Sequence, residues 1–306
     1  MLFRSEKKSR PQANFFQLRQ DHAGYIVSSY SRMKRAESGE LNPLDRDEFR
    51  REPGQKVLAT VLADDELPGG TATGTMLHEI LENIPFDSMA SKPDLETWLG
   101  LTPVKTVFDT AMARSGIVAT AGQVRRAAEM IYRALTITIP LGPERPIPGL
   151  YTCKNIIPEM EFLFPFPEDI HPSLTETRPG KLEIKRGYIK GFVDLVVEHD
   201  GRVYFADWKS DVLPSFEADT IKTHIEAHYD TQVKLYSLAL VKALRIDSEA
   251  AYKKSFGGLF YVFLRALNQN EDNQEGVHFE QPCWSDILAY EDELKRFELR
   301  GAKVRA

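Results

Sequence analysis

Asp200-Gly201 sits between two apolar runs, Gly191–His199 and Arg202–Lys209. That placement predicts a two-residue hairpin, because a type I′ turn needs positive φ at both central residues and Asp-Gly tolerates it. With those two residues as the turn, His199 pairs with Arg202, Val196 faces Phe205, and Asp194 stands directly opposite Asp207. Opposed Cβ atoms lie about 4.5–5.5 Å apart. Side chains alternate along a strand, so Lys209 emerges on the face of Asp207. The register therefore gathers two carboxylates and an ammonium at the end of an otherwise apolar hairpin.

Two like charges directly opposed destabilise a sheet unless something neutralises them. A divalent cation does so: Mg²⁺ takes hard oxygen ligands, usually one or two carboxylates with waters and substrate phosphate oxygens. A neighbouring lysine can then stabilise developing phosphoryl charge or orient the attacking water. An isolated Asp-x-Lys carries little information, since most such tripeptides lie at solvated strand ends. The second aspartate, on strands whose apolar runs point to burial of both faces, sets this one apart. A register slip of one residue, as a wider loop would give, undoes the pairing.

The elements that must position this patch can be read from periodicity. Residues 1–24 are polar and unpatterned and read as a tail or linker; Gly24–Ser31 reads as a short strand running into a helix start. Residues 36–68, charged and carrying several Gly and Pro, read as loop. Met76, Leu77, Ile80, Leu81 and Ile84 recur at helical spacing before Pro85, and further helices are expected near 91–100, 104–115 and 121–137. Four prolines between Pro140 and Pro148 mark the best internal boundary, dividing a mostly helical part (25–148) from a core (149–306). Beyond it the period becomes that of strands, at 158–164, 182–189, 191–198 and 202–208. A helix follows at 230–245, then a strand at 256–264 and a last helix near 284–298. This pattern argues for an α/β or α+β sheet core with a helical N-terminal part.

The bulk numbers narrow the function. A chain of 306 residues can bury a sizeable core. No signal peptide or membrane span is legible, which points to a cytoplasmic protein. Cys153 and Cys283 stand far apart and without partners at metal-ligand spacing, which speaks against zinc or iron–sulfur sites. The net charge of −6 is unlike that of a protein that simply coats DNA, but it suits an enzyme whose carboxylates hold cations. Basic clusters occur at Lys7-Lys8-Arg10, at Arg125-Arg126 and at Lys181, Lys185, Arg186 and Lys190; the first two read as solvated surface. No Gly-x-x-x-x-Gly-Lys-Ser/Thr loop is present, so the chain by itself is not an ATP motor.

Asp194, a gap of twelve, and Asp207-x-Lys209 together resemble the PD-(D/E)xK nuclease pattern. The wider chain is similar to RecB-like C-terminal nuclease domains of bacterial recombinational helicase–nucleases. The likeness runs through Ser28-Ser29-Tyr30-Ser31, Gly74-Thr75-Met76-Leu77-His78 and Glu159-Met160-Glu161-Phe162, then the hairpin, Tyr229–Leu240 and Phe256–Arg265. It implies a restriction-endonuclease-like core, a central mixed β-sheet flanked by helices. It further implies that His78, Asp194 and Asp207 are metal ligands, that Lys209 is the catalytic lysine, and that Glu161 is the acidic position on the preceding strand. Gln232 and Tyr236 match a Gln-x-x-x-Tyr element on one helix face, suited to holding DNA backbone or ordering the metal shell. Trp208 stands where the family has tyrosine.

By resemblance the cofactor is Mg²⁺, with Mn²⁺ as an alternative. The substrate would be single-stranded DNA, fed by the helicase segment or subunit of a RecBCD-like complex in double-strand break repair, and the products would carry 5′-phosphates. Two other readings stand beside this one: a non-catalytic DNA- or protein-binding module that keeps the fold, and a nuclease acting on RNA.

Overall fold

A computed structural model of the chain describes residues 26–28, 66–91, 93–117, 119–166, 187–267 and 275–302. Expectations for the 1–24 tail, most of the 36–68 loop and the basic residues 181–186 lie outside them. The sheet is built from β1 (Ile26–Ser28), β4 (Lys154–Phe166), β5 (Gly187–His199), β6 (Arg202–Lys209), β7 (Phe256–Phe263) and β8 (Val277–Glu280). Strands β4, β5 and β6 run antiparallel in turn, β7 lies parallel to β6, and β8 returns antiparallel. The sheet is therefore mixed. β4 pairs with β5 from one end to the other and so fills one of its edges. β1, parallel to β5 at residues 187–189, and β6, at 195–199, must share the opposite edge.

The hairpin forms as its sequence predicts. Asp200 and Gly201 have φ of 47° and 77°, and His199 pairs with Arg202 and Val196 with Phe205. Nothing lies within 4 Å of a Cβ built on Gly201, so Gly201→Ala tests backbone strain alone. The left-handed conformation costs an L-residue about 1–2 kcal/mol, and urea denaturation of the variant should show a loss of that size.

Helices cover both faces. One carries α1 (Thr71–Asn83), α2 (Leu95–Leu99), α3 (Thr102–Ser115) and α4 (Ala121–Thr136). Their apolar residues join Leu195, Val197, Tyr204, Ala206 and Trp208 in one core cluster, with Trp98 fully buried at its heart. The other carries α5 (Ala218–His228), α6 (Asp230–Ala243), α7 (Glu249–Ser255) and α8 (Trp284–Ala302), packed with Val193, Val196, Phe205 and Tyr261. Every residue of β7 is buried, as befits a strand covered on both sides. Local sequence sets the helix starts: the Asp94 side chain accepts from Thr97 N–H, and Thr120 with Gln123 forms a capping box.

Three expectations are corrected. The segments expected as two strands at 182–189 and 191–198 belong, from Gly187 on, to the single strand β5. Gly191 is no break, because it sits opposite Phe162, whose ring occupies the space a side chain would need. The proline-rich 140–148 stretch folds as a small hairpin, β2 (Ile139–Leu141) with β3 (Glu144–Ile147), and its Ile139, Leu141 and Ile147 are buried in the first cluster. The helix expected over 91–100 is a single turn and a half, held back by Pro93 and capped by Asp94. Finally, α5, α7 and β8 are elements for which no expectation was formed.

Candidate functional site

The β5–β6 ladder closes at Leu195 with Ala206, one step short of the two aspartates. Asp194 and Asp207 are thus not a ladder pair, as the turn register had them. Instead the Asp194 carboxylate takes the place of a neighbouring strand: its Oδ2 accepts from the Trp208 backbone N–H at 2.8 Å. The pleat also changes hand here. Val193 and Val196 pack in the α6 cluster while Leu195 and Val197 pack in the other, where strict alternation would put Val193 with Leu195. On β4, Glu159 has φ of 47° and falls level with Asp194, between the pairs Pro158–Leu195 and Met160–Val193. A deformation shared by two strands re-aims side chains just where β6 departs from β5.

Asp207 and Lys209 lie on the α6 face of β6, as their spacing predicts, and both are almost fully buried. Lys209 Nζ is 2.5 Å from Asp207 Oδ2. Gln232, on α6, bridges the two: its Nε2 donates to Asp207 Oδ1 at 2.7 Å, and its Oε1 accepts from Lys209 Nζ at 3.2 Å. The ammonium also lies over the Tyr229 ring, 3.7 Å from its centre, and 5.3 Å from that of Tyr261. Tyr229 is held in turn by donating its hydroxyl to Asp211 Oδ2 at 2.9 Å. Tyr236, one turn on from Gln232, is wedged edge-on between Phe162 and Phe205. Burial, reinforced by the Asp207 charge, raises its phenol well above the ordinary value, so Tyr236 is a neutral donor and packing group.

His78 reaches the same place from α1. Its Nε2 lies 3.0 Å from the Trp208 carbonyl, which can only accept, so Nε2 carries a proton. In the neutral ring, the Nδ1 lone pair then faces Asp194 Oδ2 at 3.5 Å. Two lone pairs directed at each other call for a positive charge between them, a proton or a metal ion. Burial alone would raise the Asp194 carboxyl, but His78, the Trp208 N–H and Lys209 outweigh it and hold the group below its usual range. Among the described residues no three His, Cys, Asp or Glu side chains form a ready-made cage. Both Asp207 oxygens are engaged by Lys209 and Gln232.

Glu161 is not brought to this group. It lies opposite Phe192, half exposed, in an ion pair with Lys190 at 3.1 Å. Lys190 is thereby accounted for; Arg125 pairs with Glu96 on the exposed surface and also with Glu129, while Arg126, partly buried, pairs with Glu129. Burial pushes the Cys153 thiol up to about 12, leaving it inert, and Cys283 is exposed. No helix among the described residues is long and apolar enough to cross a membrane.

Comparison with known proteins fits this geometry. The family model described as "PD-(D/E)XK nuclease superfamily" matches residues 55–303. The chain belongs to that superfamily. Within it, the chain is similar to subunits named RecB of RecBCD enzymes: 38% identical over 234 residues to that of Haemophilus influenzae and 26% over 251 residues to that of Escherichia coli. A similar match, 26% over 238 residues, is found with RecB of Borreliella burgdorferi. These alignments cover 71–76% of this chain, which spans only about a fifth of each relative. In this PD-(D/E)XK chain Trp208, between Asp207 and Lys209, is buried on the opposite face of β6.

Proposed function

We propose that the chain is a metal-dependent deoxyribonuclease that hydrolyses phosphodiester bonds, acting on single-stranded DNA within a RecBCD-like helicase–nuclease. The observation that carries this reading is the buried Asp207–Lys209–Gln232 group set beside the facing Asp194 and His78. A buried ammonium and carboxylate of this kind are costly to keep unless they serve a purpose. Asp194, Asp207 and the His78 ring fit a divalent ion: oxygen donors for Mg²⁺ or Mn²⁺, plus one nitrogen that Mn²⁺ accepts more readily. Held by these residues, an ion would supply Lewis-acid polarisation of the phosphate and a lowered pKa for a bound water.

The chain's own residues supply the rest. The Trp208 carbonyl fixes the His78 ring through Nε2, and the Trp208 N–H fixes the Asp194 carboxylate. Lys209, preorganised by Asp207, Gln232 and Tyr229, directs its ammonium charge toward negative charge that builds on the phosphoryl oxygens. Tyr236 and Gln232 keep that group from rotating away. Glu161, held by Lys190, has no part in the step.

The test measures degradation of single-stranded DNA by the metal-free chain, then with MgCl₂ or MnCl₂ added, alongside Asp207→Ala. Cleavage confined to the metal-loaded wild type is expected. Equal activity in Asp207→Ala, or DNA binding without cleavage in either protein, would reduce the chain to a binding module. A matched RNA strand separates deoxyribonuclease from ribonuclease action.

A further inference from the structure

Arg265 lies just past β7, outside the group described above, yet it joins the two parts of the chain that carry it. Its guanidinium donates three hydrogen bonds, all to backbone carbonyls: Nε to Ser210 at 2.9 Å, Nη1 to Leu67 at 3.0 Å and Nη2 to Pro68 at 2.8 Å. Ser210 follows Lys209 directly. Leu67, fully buried, and Pro68 lead into α1, which bears His78. The planar fork of arginine suits such simultaneous contacts, and a lysine cannot reproduce them.

Two further contacts show that this joint is tight. A Cβ on Gly74 would come within 2.8 Å of Ser210 Oγ, so α1 packs closely on residue 210 and a side chain there would displace the Ser210 hydroxyl. Gln123 Nε2 donates to the Glu66 carbonyl at 3.1 Å, fixing the same strap to α4. Residues four apart share a helix face, so Gly74 and His78 both look onto the end of β6. Gly74 meets Ser210 and His78 meets the Trp208 carbonyl. The strap, the first turn of α1 and the chain beyond Lys209 thus form one rigid piece, with Arg265 as its bolt.

We infer that Arg265 is a positioning residue: by tying the Leu67-Pro68 strap to Ser210, it sets where His78 Nδ1 stands relative to Asp194. The metal part of this inference rests on the function proposed above. Partners one step removed from a ligand typically set metal affinity within about 10–100-fold. The His78 geometry itself does not depend on a metal.

Two readouts keep the questions apart. The ¹⁵N ring shifts of His78 are measured in the metal-free protein for wild type, Arg265→Lys and Arg265→Gln. Mn²⁺ binding to each is measured by calorimetry, with His78→Ala as comparator. In the wild type the His78 ring nitrogens should give one well-defined pair of shifts, set by the Trp208 carbonyl and Asp194; in the Arg265 variants those shifts should move toward the values of a solvent-exposed imidazole, and Mn²⁺ should bind at least about tenfold more weakly. Should neither variant fold, Gly74→Ala presses on the same joint from the helix side and is read in the same way. Unchanged His78 shifts in a folded variant overturn the inference. If His78→Ala leaves Mn²⁺ binding intact, the metal reading fails, and the ring shifts still decide the role of Arg265.

Discussion

Replacing Lys209 with methionine should abolish cleavage and destabilise the fold by about 3–5 kcal/mol, and magnesium should return more of that stability than it gives the wild type. The ammonium is buried 2.5 Å from Asp207 Oδ2 and 3.2 Å from Gln232 Oε1. Methionine matches its length and keeps contact with the rings of Tyr229 and Tyr261, so packing loss is small. What remains is a buried carboxylate that has lost the ammonium and keeps the Gln232 amide. In the wild type, Lys209 and an added cation compete for Asp207; in the variant the cation has no competitor. A ligand at about 100 times its dissociation constant adds about 2.7 kcal/mol. Melting temperatures with and without MgCl₂ therefore separate the two proteins. Cleavage should fall by at least about 10²–10³-fold, the usual cost of removing one preorganised donor to developing charge. A variant retaining a tenth of wild-type activity, or one that magnesium stabilises no more than wild type, argues against this role.

Asp194→Asn should lose activity without a comparable loss of fold. The amide oxygen can still accept from the Trp208 N–H, so the hydrogen bond that stands in for the missing ladder step survives. The charge does not. A ligand that no longer neutralises the ion forfeits several kcal/mol of transition-state stabilisation, and about 4 kcal/mol corresponds to about a thousandfold in rate. Stability should drop by only about 1–2 kcal/mol, the worth of a charge-assisted bond with His78. That difference has a pH signature. Because the folded Asp194 carboxyl sits below its ordinary value, its contribution is complete above the usual carboxylate range and disappears as pH falls through the folded value. Wild type and variant should accordingly converge in acid, as denaturation midpoints at several pH values will reveal.

The sequence carried the hairpin well, since a two-residue Asp-Gly turn and strict alternation leave little freedom of register. The meeting of Asp207 and Lys209 on one face, though not that of Gln232, which only the resemblance singled out, followed from strand alternation alone. His78 did not: a single histidine on an amphipathic helix has no local signal, and only the family resemblance picked it out. The stop of the ladder before Asp194 was illegible because a side chain there replaces a backbone partner, which no pattern of apolar residues records. Nor could the sequence distinguish Glu159 from Glu161. The backbone at Glu159, with φ of 47°, brings that residue level with Asp194, and Glu161 pairs with Lys190; neither feature has a signature in the sequence. The elements α5, α7 and β8 were missed for plainer reasons: α7 and β8 are too brief for a period to emerge, and α5 buries only Ile221 and Ile225, too few apolar positions to mark one.

Strand β1 matters to anyone who trims this chain. The superfamily match begins at residue 55, so a fragment cut to the match would leave out Ile26–Ser28. Residues Gly187–Ile189 of β5 would then present bare amides and carbonyls beside the fork that holds Asp194. An open edge of that kind invites pairing with another molecule. Such a fragment should be more prone to self-association than the full chain.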